Sequence, residues 1–129
     1  MRVYNKWHSM IKKELKKMNL THPQFVVLAS LAYLSQDSNE VTQVMISKLS
    51  GIDVMTVSQI LGLLEKHDFV KRKEHSRDTR AKAVILNKKG EEILQKAVPL
   101  VEQIDEIFFE KLDTDEGQFK HFLVRLNEE

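Results

Sequence analysis

Two helix signals between residues 42 and 64 stand so close together that only a tight turn can join them. Thr42 is placed to cap a short helix ending near Ser50, with Val41 and Ile46 positioned as its hydrophobic staple. Gly51 can take the left-handed position at that helix's end, and Asp53 can cap the next helix at once. Ile52 and Val57 make a further staple. Two short helices joined through Gly51-Ile52-Asp53 read as a helix-turn-helix, whose turn commonly contains glycine. Many helical hairpins share this spacing, so what surrounds it decides its meaning.

The second helix of the pair sets Val57, Ile60, Leu61 and Leu64 on one apolar stripe. Met55, Thr56, Ser58, Gln59 and Gly62 fall off it, and no charge lies between Val54 and Leu64. A helix meant only to face water would carry charges there. Small polar groups and an amide suit base edges, where glutamine pairs with adenine. Met55, Thr56, Ser58 and Gln59 are therefore the expected major-groove residues, with a partner-protein surface as the alternative.

Directly after this helix, Phe69–Glu74 and Lys82–Leu86 read as two short strands around the polar tip His75-Ser76-Arg77-Asp78-Thr79-Arg80. Basic residues flank the tip at Lys71, Arg72, Lys73 and Lys82. A basic hairpin following a helix-turn-helix reads as a wing. Arginines at such a tip suit the deep negative potential of a narrow minor groove. Arg72, Lys73, Arg77, Arg80 and Lys82 are the expected wing contacts. Asp78 is expected to order the loop by accepting turn N–H groups or pairing with an arginine such as Arg72.

The remaining chain is helical in pattern. Val3, Trp7, Met10, Ile11, Leu15 and Met18 repeat at helical spacing over residues 1–18. Thr21 and Gln24 form a capping box for a largely apolar helix over 22–36, with Pro23 in its first turn and Leu20 and Phe25 as staple. Gln36-Asp37-Ser38-Asn39 then marks a turn. Asn87 is placed to cap a helix over 88–111, striped by Ile93, Leu94, Ala97, Val101, Ile104 and Phe108 and expected to kink at Pro99. Beyond a break at Leu112-Asp113-Thr114, Phe119, Phe122, Leu123 and Leu126 suggest a last helix over 114–127. The terminal helices carry more apolar stripe than one small core needs, which argues for a homodimer.

The 129 residues carry a net charge of only +1, but its distribution is uneven. Residues 1–18 are net +5, 19–65 net −3, 66–90 net +6 and 91–129 net −7. Two basic blocks and an acidic tail suggest one face for a polyanion and another turned away from it. Cysteine is absent, which removes disulfides and thiolate zinc sites and fits a cytoplasmic location. No signal peptide is expected among the charges at Arg2, Lys6, Lys12 and Lys13, and the apolar run Phe25–Leu34 is too short to span a bilayer, so no membrane partner is expected. One domain over 1–129 is the simplest division, with a DNA-binding lobe at about 20–90 and dimerisation helices at about 1–18 and 88–129.

The order helix, helix, helix-turn-helix, two-stranded wing, long helix, final helix resembles the MarR (multiple antibiotic resistance regulator) family over essentially the whole chain. The family's D-x-R wing motif stands here as Asp78-Thr79-Arg80, followed by Val84-Ile85-Leu86 and Gly90. The run Leu63-Leu64-Glu65-Lys66-His67-Asp68-Phe69-Val70-Lys71-Arg72 is similar to the family's passage from recognition helix into wing. The resemblance implies a mainly α fold with a small β-wing: a winged helix-turn-helix plus a helical dimerisation region built from both termini. It further implies a recognition helix in the major groove, a wing in the minor groove, and a small ligand held between the dimer region and the DNA-binding lobe. Asp68 departs from the family's usual glycine, Gln59 from a frequent arginine and Asn87 from a common threonine.

No enzyme is expected: there is no Gly-rich phosphate loop, no cysteine nucleophile and no G-x-S-x-G serine. Histidines 8, 22, 67, 75 and 121 include no pair at i, i+4, so neither a metal nor another cofactor is expected. The expected function is a sequence-specific regulator of transcription, a repressor released from a palindromic duplex operator by a small-molecule effector. Trp7, Met10 and Phe108 are candidate liners of an effector pocket, with plain core packing as the alternative for each. The competing reading is a winged-helix protein-interaction module without DNA-binding activity.

Overall fold

The computed structural model describes residues 2–78 and 80–109. Its elements run α1 (Arg2–Lys16), α2 (His22–Ser35), β1 (Val41–Thr42), α3 (Gln43–Ser50), α4 (Val54–Lys66), β2 (Val70–Glu74), β3 (Lys82–Leu86) and α5 (Lys88–Phe109). The expected break at Leu112-Asp113-Thr114 and the helix carrying Phe119, Phe122, Leu123 and Leu126 lie outside the described residues.

The caps form where the side chains allow them. Thr21 Oγ1 accepts the Gln24 N–H at 3.2 Å while Gln24 Oε1 accepts the Thr21 N–H at 3.1 Å, closing the capping box of α2. Leu20 and Phe25 are both buried beside it. Thr42 caps α3 through the Met45 N–H at 3.2 Å, and Asp53 caps α4 through the Thr56 N–H at 2.9 Å. Gly51 sits at φ 77, a left-handed conformation that glycine takes without a Cβ penalty. The chain turns by 110° between α3 and α4, within the helix-turn-helix range.

The sheet has three strands rather than the two expected, in the antiparallel order β1-β3-β2. Val41 pairs with Val84 and Thr42 with Ala83; Val70 pairs with Leu86 and Arg72 with Val84. The extra strand follows from the cap. An N-cap residue is extended, and Thr42 at φ −98, ψ 162 brings Val41 alongside β3. As the central strand, β3 buries both Ala83 and Val84, successive residues that point to opposite faces of the sheet.

One contiguous core joins the helices to the sheet, with Ile11 and Leu15 of α1, Leu28 and Leu31 of α2, Ile46, Leu61, Leu64 and Val84 fully or nearly fully buried. α5 is a single helix across Pro99. Its start lies tight on the preceding β2 entry: Asn87 N–H donates to the Phe69 carbonyl at 2.9 Å, and a Cβ on Gly90 would overlap that same oxygen. The Asn87 side chain, expected to cap α5, is engaged elsewhere. Its amide donates to the Asp68 carbonyl at 3.3 Å and the Asp68 carboxylate at 3.1 Å.

Candidate nucleic-acid interface

Helix α4 carries three stripes. Val57, Ile60, Leu61 and Leu64 are buried. Ser58, Gly62 and Glu65 face β2, where the Arg72 guanidinium lies among them. Met55, Gln59, Leu63 and Lys66 form the exposed edge, with Met55 74% exposed. Thr56 sits at the helix start, its hydroxyl donating to Asp53 Oδ2 at 2.7 Å.

Of the four residues expected in the major groove, Met55 and Gln59 project to the surface. Ser58 is half-buried, and its Oγ and carbonyl accept from Arg72 Nη1 at 3.1 and 3.2 Å. Thr56 is held in the cap. The structure thus brings Met55 and Gln59 together on one edge and turns Ser58 toward the wing.

The expected wing residues also divide. Arg77 and Arg80 are exposed at the tip, Arg80 with 93% of its side chain open, and Lys73 and Lys82 are exposed along the strands. Arg72 is different. Its Nε and Nη2 donate to Glu65 Oε1 at 2.9 and 2.6 Å, its Nη1 to Gln43 Oε1 at 3.0 Å, and its backbone N–H to Glu65 Oε2 at 3.3 Å. Strand alternation explains this: Lys71 and Lys73 point outward, so Arg72 points in. Arg72 thus ties the wing to α3 and α4. Asp78, offered Arg72 as a partner, takes Arg80 instead, accepting its N–H at 3.0 Å and lying 3.6 Å from its Nε.

The wing tip is ordered by further bonds that sequence reasoning missed. His75 Nδ1 accepts the N–H groups of Arg77 and Asp78 at 3.1 and 3.3 Å. Glu40 accepts both the Ser76 N–H, at 2.8 Å, and the Ser76 hydroxyl, and these bonds lower its pKa below the ordinary carboxylate value. Glu65 had a signal of its own. A carboxylate in the last turn of a helix opposes the dipole and calls for a cation.

Around the candidate effector pocket, Trp7 Nε1 donates to Asp105 Oδ1 at 2.8 Å and joins α1 to α5. His22 stands edge-on to Trp7 and 5.1 Å from the ring of His8. Burial first, then His8, lowers the His22 pKa, against an opposing pull from Asp105. Met10 lines a groove of about 380 Å³ with Lys13, Leu100, Ile104 and Ile107. Phe108 is half-buried near the end of α5. Among the described residues no cluster of histidine and carboxylate groups could hold a metal, and no single helix is long and apolar enough to cross a membrane.

Comparison with known proteins matches an ArnR1-like winged-helix domain to residues 16–104. The HTH-type transcriptional regulator YdcH of Bacillus subtilis is 36% identical over 80% of this chain and 70% of its own length. Bordetella bronchiseptica BpsR, whose DNA binding is regulated by 6-hydroxynicotinic acid, is 26% identical with a TM-score of 0.85, covering 99% of this chain and 89% of that one. Escherichia coli MarR, seen with operator DNA, shares the fold at a TM-score of 0.85 and 22% identity, over 99% and 89% of the two chains. The two helices meeting at 110°, the basic wing after them and these relatives together assign the chain to the MarR family of winged-helix transcription regulators, to which it belongs.

Proposed function

We propose that this regulator binds a palindromic duplex operator as a homodimer, with α4 in the major groove and the wing tip in the minor groove. One observation carries the reading. The exposed edge of α4, uncharged from Met55 to Leu63, stands beside a hairpin whose exposed cations include Arg77, Arg80, Lys73 and Lys82, while Arg72 fixes the two relative to each other. Phosphate contacts position a protein on the duplex and base contacts specify the sequence, and the cationic hairpin and the α4 edge offer one surface for each. The lobe at about 20–90 does the binding, and residues about 1–18 and 88–129 join the subunits, in the cytoplasm. Two-fold symmetry then sets the α4 helices about 34–36 Å apart, one DNA turn.

The protein acts as a repressor that a small molecule releases. BpsR supports this, being a relative regulated by a hydroxylated aromatic acid. The junction of α1, α2 and α5 around Trp7, His22 and Asp105 is where such a ligand would meet both the dimer helices and the lobe. A ligand shifts operator affinity only by its unequal affinity for the two conformations. Ligands that bind but never change operator affinity would leave a constitutive DNA binder.

Mobility shift of random duplex DNA at two salt concentrations tests the core claim. Binding should fall steeply with salt, with a slope of about 0.9 per phosphate neutralised. The protein-interaction reading draws on the apolar side chains Val44, Leu49, Met55 and Leu63, all exposed on α3 and α4. It predicts no shift at either salt concentration.

A further inference from the structure

The chemistry of the exposed edge of α4 narrows what that helix can read. Met55, Gln59 and Leu63 lie four residues apart and so share one line along the helix. Guanine is read in the major groove chiefly by arginine or lysine paired to O6 and N7. No such side chain stands between Val54 and Leu64. The guanidinium that does lie against this helix, Arg72, has its donors directed to Glu65, Gln43 and Ser58. Ahead of Lys66 in the last turn, the edge is left with a thioether chain, an amide and a leucine.

Each of these has a match on an A·T pair. The Gln59 amide can donate to adenine N7 and accept from adenine N6. The thymine C5-methyl is the apolar group that a base pair offers in the major groove, and Met55, 74% exposed, is a flexible apolar side chain that can cover it. Four residues of helix rise about 6 Å, so the two contacts fall on separate, nearby base pairs.

We infer that α4 selects A·T base pairs, Met55 by covering a thymine methyl and Gln59 by pairing with adenine. The inference rests on the DNA-binding function proposed above and names the bases that this interface takes. Specificity here is apolar and amide-based, while the wing supplies the charge.

The test uses the full chain and duplexes selected from random-sequence DNA. Selection should return A·T pairs at the positions whose preference changes in Met55→Ala or Gln59→Ala. Replacing thymine by deoxyuridine, which lacks the methyl, should weaken the wild type about fourfold per half-site, the worth of one buried methyl group. Met55→Ala should bind the thymine and deoxyuridine duplexes equally, and the exposure of Met55 lets that variant keep its fold. Gln59→Ala should lose about tenfold in adenine preference at one position of each half-site. Selected G·C pairs at those positions, or equal wild-type affinity for the two duplexes, would overturn the A·T reading while DNA binding stands. Failure to bind any duplex would overturn the proposed function beneath it.

Discussion

Arg72 and Glu65 meet across the junction of wing and recognition helix, Nη2 to Oε1 at 2.6 Å, with both side chains about a quarter to a third exposed. The pair makes this arginine a brace between the wing and α4, the two surfaces proposed above to meet DNA. Arg72→Ala should lower stability by about 1–2 kcal/mol, since partial exposure screens the pair while its several charged hydrogen bonds disappear. Operator affinity should fall with it. The slope of log affinity against log salt should stay at the wild-type value, because no phosphate is left without its cation. Anisotropy titrations over a salt series check this, and a shallower slope would return Arg72 to the DNA.

Gly90 gives a prediction of unusual sign. Alanine is favoured over glycine inside a helix by about 1 kcal/mol. Here its methyl would overlap the Phe69 carbonyl oxygen and stand 2.8 Å from Leu86 Cδ1. Gly90→Ala should therefore destabilise by about 1–3 kcal/mol, as overpacking does. Chemical denaturation measures it, and a stabilised variant would mean that α5 does not lie so close to β2.

Asp68 holds φ 61 at the end of α4, the conformation that the family's usual glycine would take. The end keeps its shape: Phe69 N–H reaches the Leu64 carbonyl at 3.0 Å and Asp68 N–H the Glu65 carbonyl at 3.0 Å. Aspartate tolerates this region better than most residues, and the Asn87 amide secures it. Asp68→Ala should cost about 1–2 kcal/mol, whereas Asp68→Gly should cost less, because glycine relieves the strain. Thermal melts of the two variants separate these outcomes; equal losses would show that the Asn87 contact, rather than the backbone, sets the cost.

His22 ties acidity to the junction of α1, α2 and α5. Its pKa is lowered in the folded state by burial and by His8, so the unfolded chain takes up the proton more readily. Stability from this group is complete above about pH 6.5 and is lost as pH falls through that value toward the lowered folded pKa. Melting temperature should drop on acidification through this window, and His22→Gln should flatten the drop. The groups facing His22 are His8, Trp7 and Asp105, so Asp105→Asn, which removes the opposing pull, should steepen it.

Much of this architecture is legible in the residues because caps and turns are local. Thr21 with Gln24, Thr42, Gly51 and Asp53 need only neighbours within a few positions, and each does what its chemistry suggests. What sequence reasoning misses is carried by long separations. Gln43 reaches Arg72, Glu40 reaches Ser76, Trp7 reaches Asp105, and Val41 pairs with Val84. None of these pairs has a periodic signature, and each forms only once the core has brought its elements together. The site is legible to the same extent. Exposure of Met55, Gln59, Arg77 and Arg80 follows from helical and hairpin position, while the inward turn of Arg72 depends on where Glu65 and Gln43 end up.

The wing tip sets two effects of one carboxylate against each other. Asp78 Oδ1 accepts the Arg80 N–H at 3.0 Å and lies 3.6 Å from Arg80 Nε, so it both shapes the turn and draws charge from the arginine. Near phosphates its own charge is repulsive, so electrostatics alone predicts that removing it tightens DNA binding. Order predicts the reverse, because the tip must hold Arg77 and Arg80 ready to avoid the entropic cost of fixing them on binding. Asp78→Asn separates the two, keeping a carbonyl oxygen for the Arg80 N–H while losing the charge. Asp78→Asn should bind operator at least as tightly as wild type, and Asp78→Ala more weakly than either. Arg80→Ala should weaken binding to most sequences and reduce the salt slope by about 1, because one phosphate is no longer neutralised. Tighter binding by Asp78→Ala together with no effect of Arg80→Ala would make the wing a passive loop and leave α4 as the DNA-reading element.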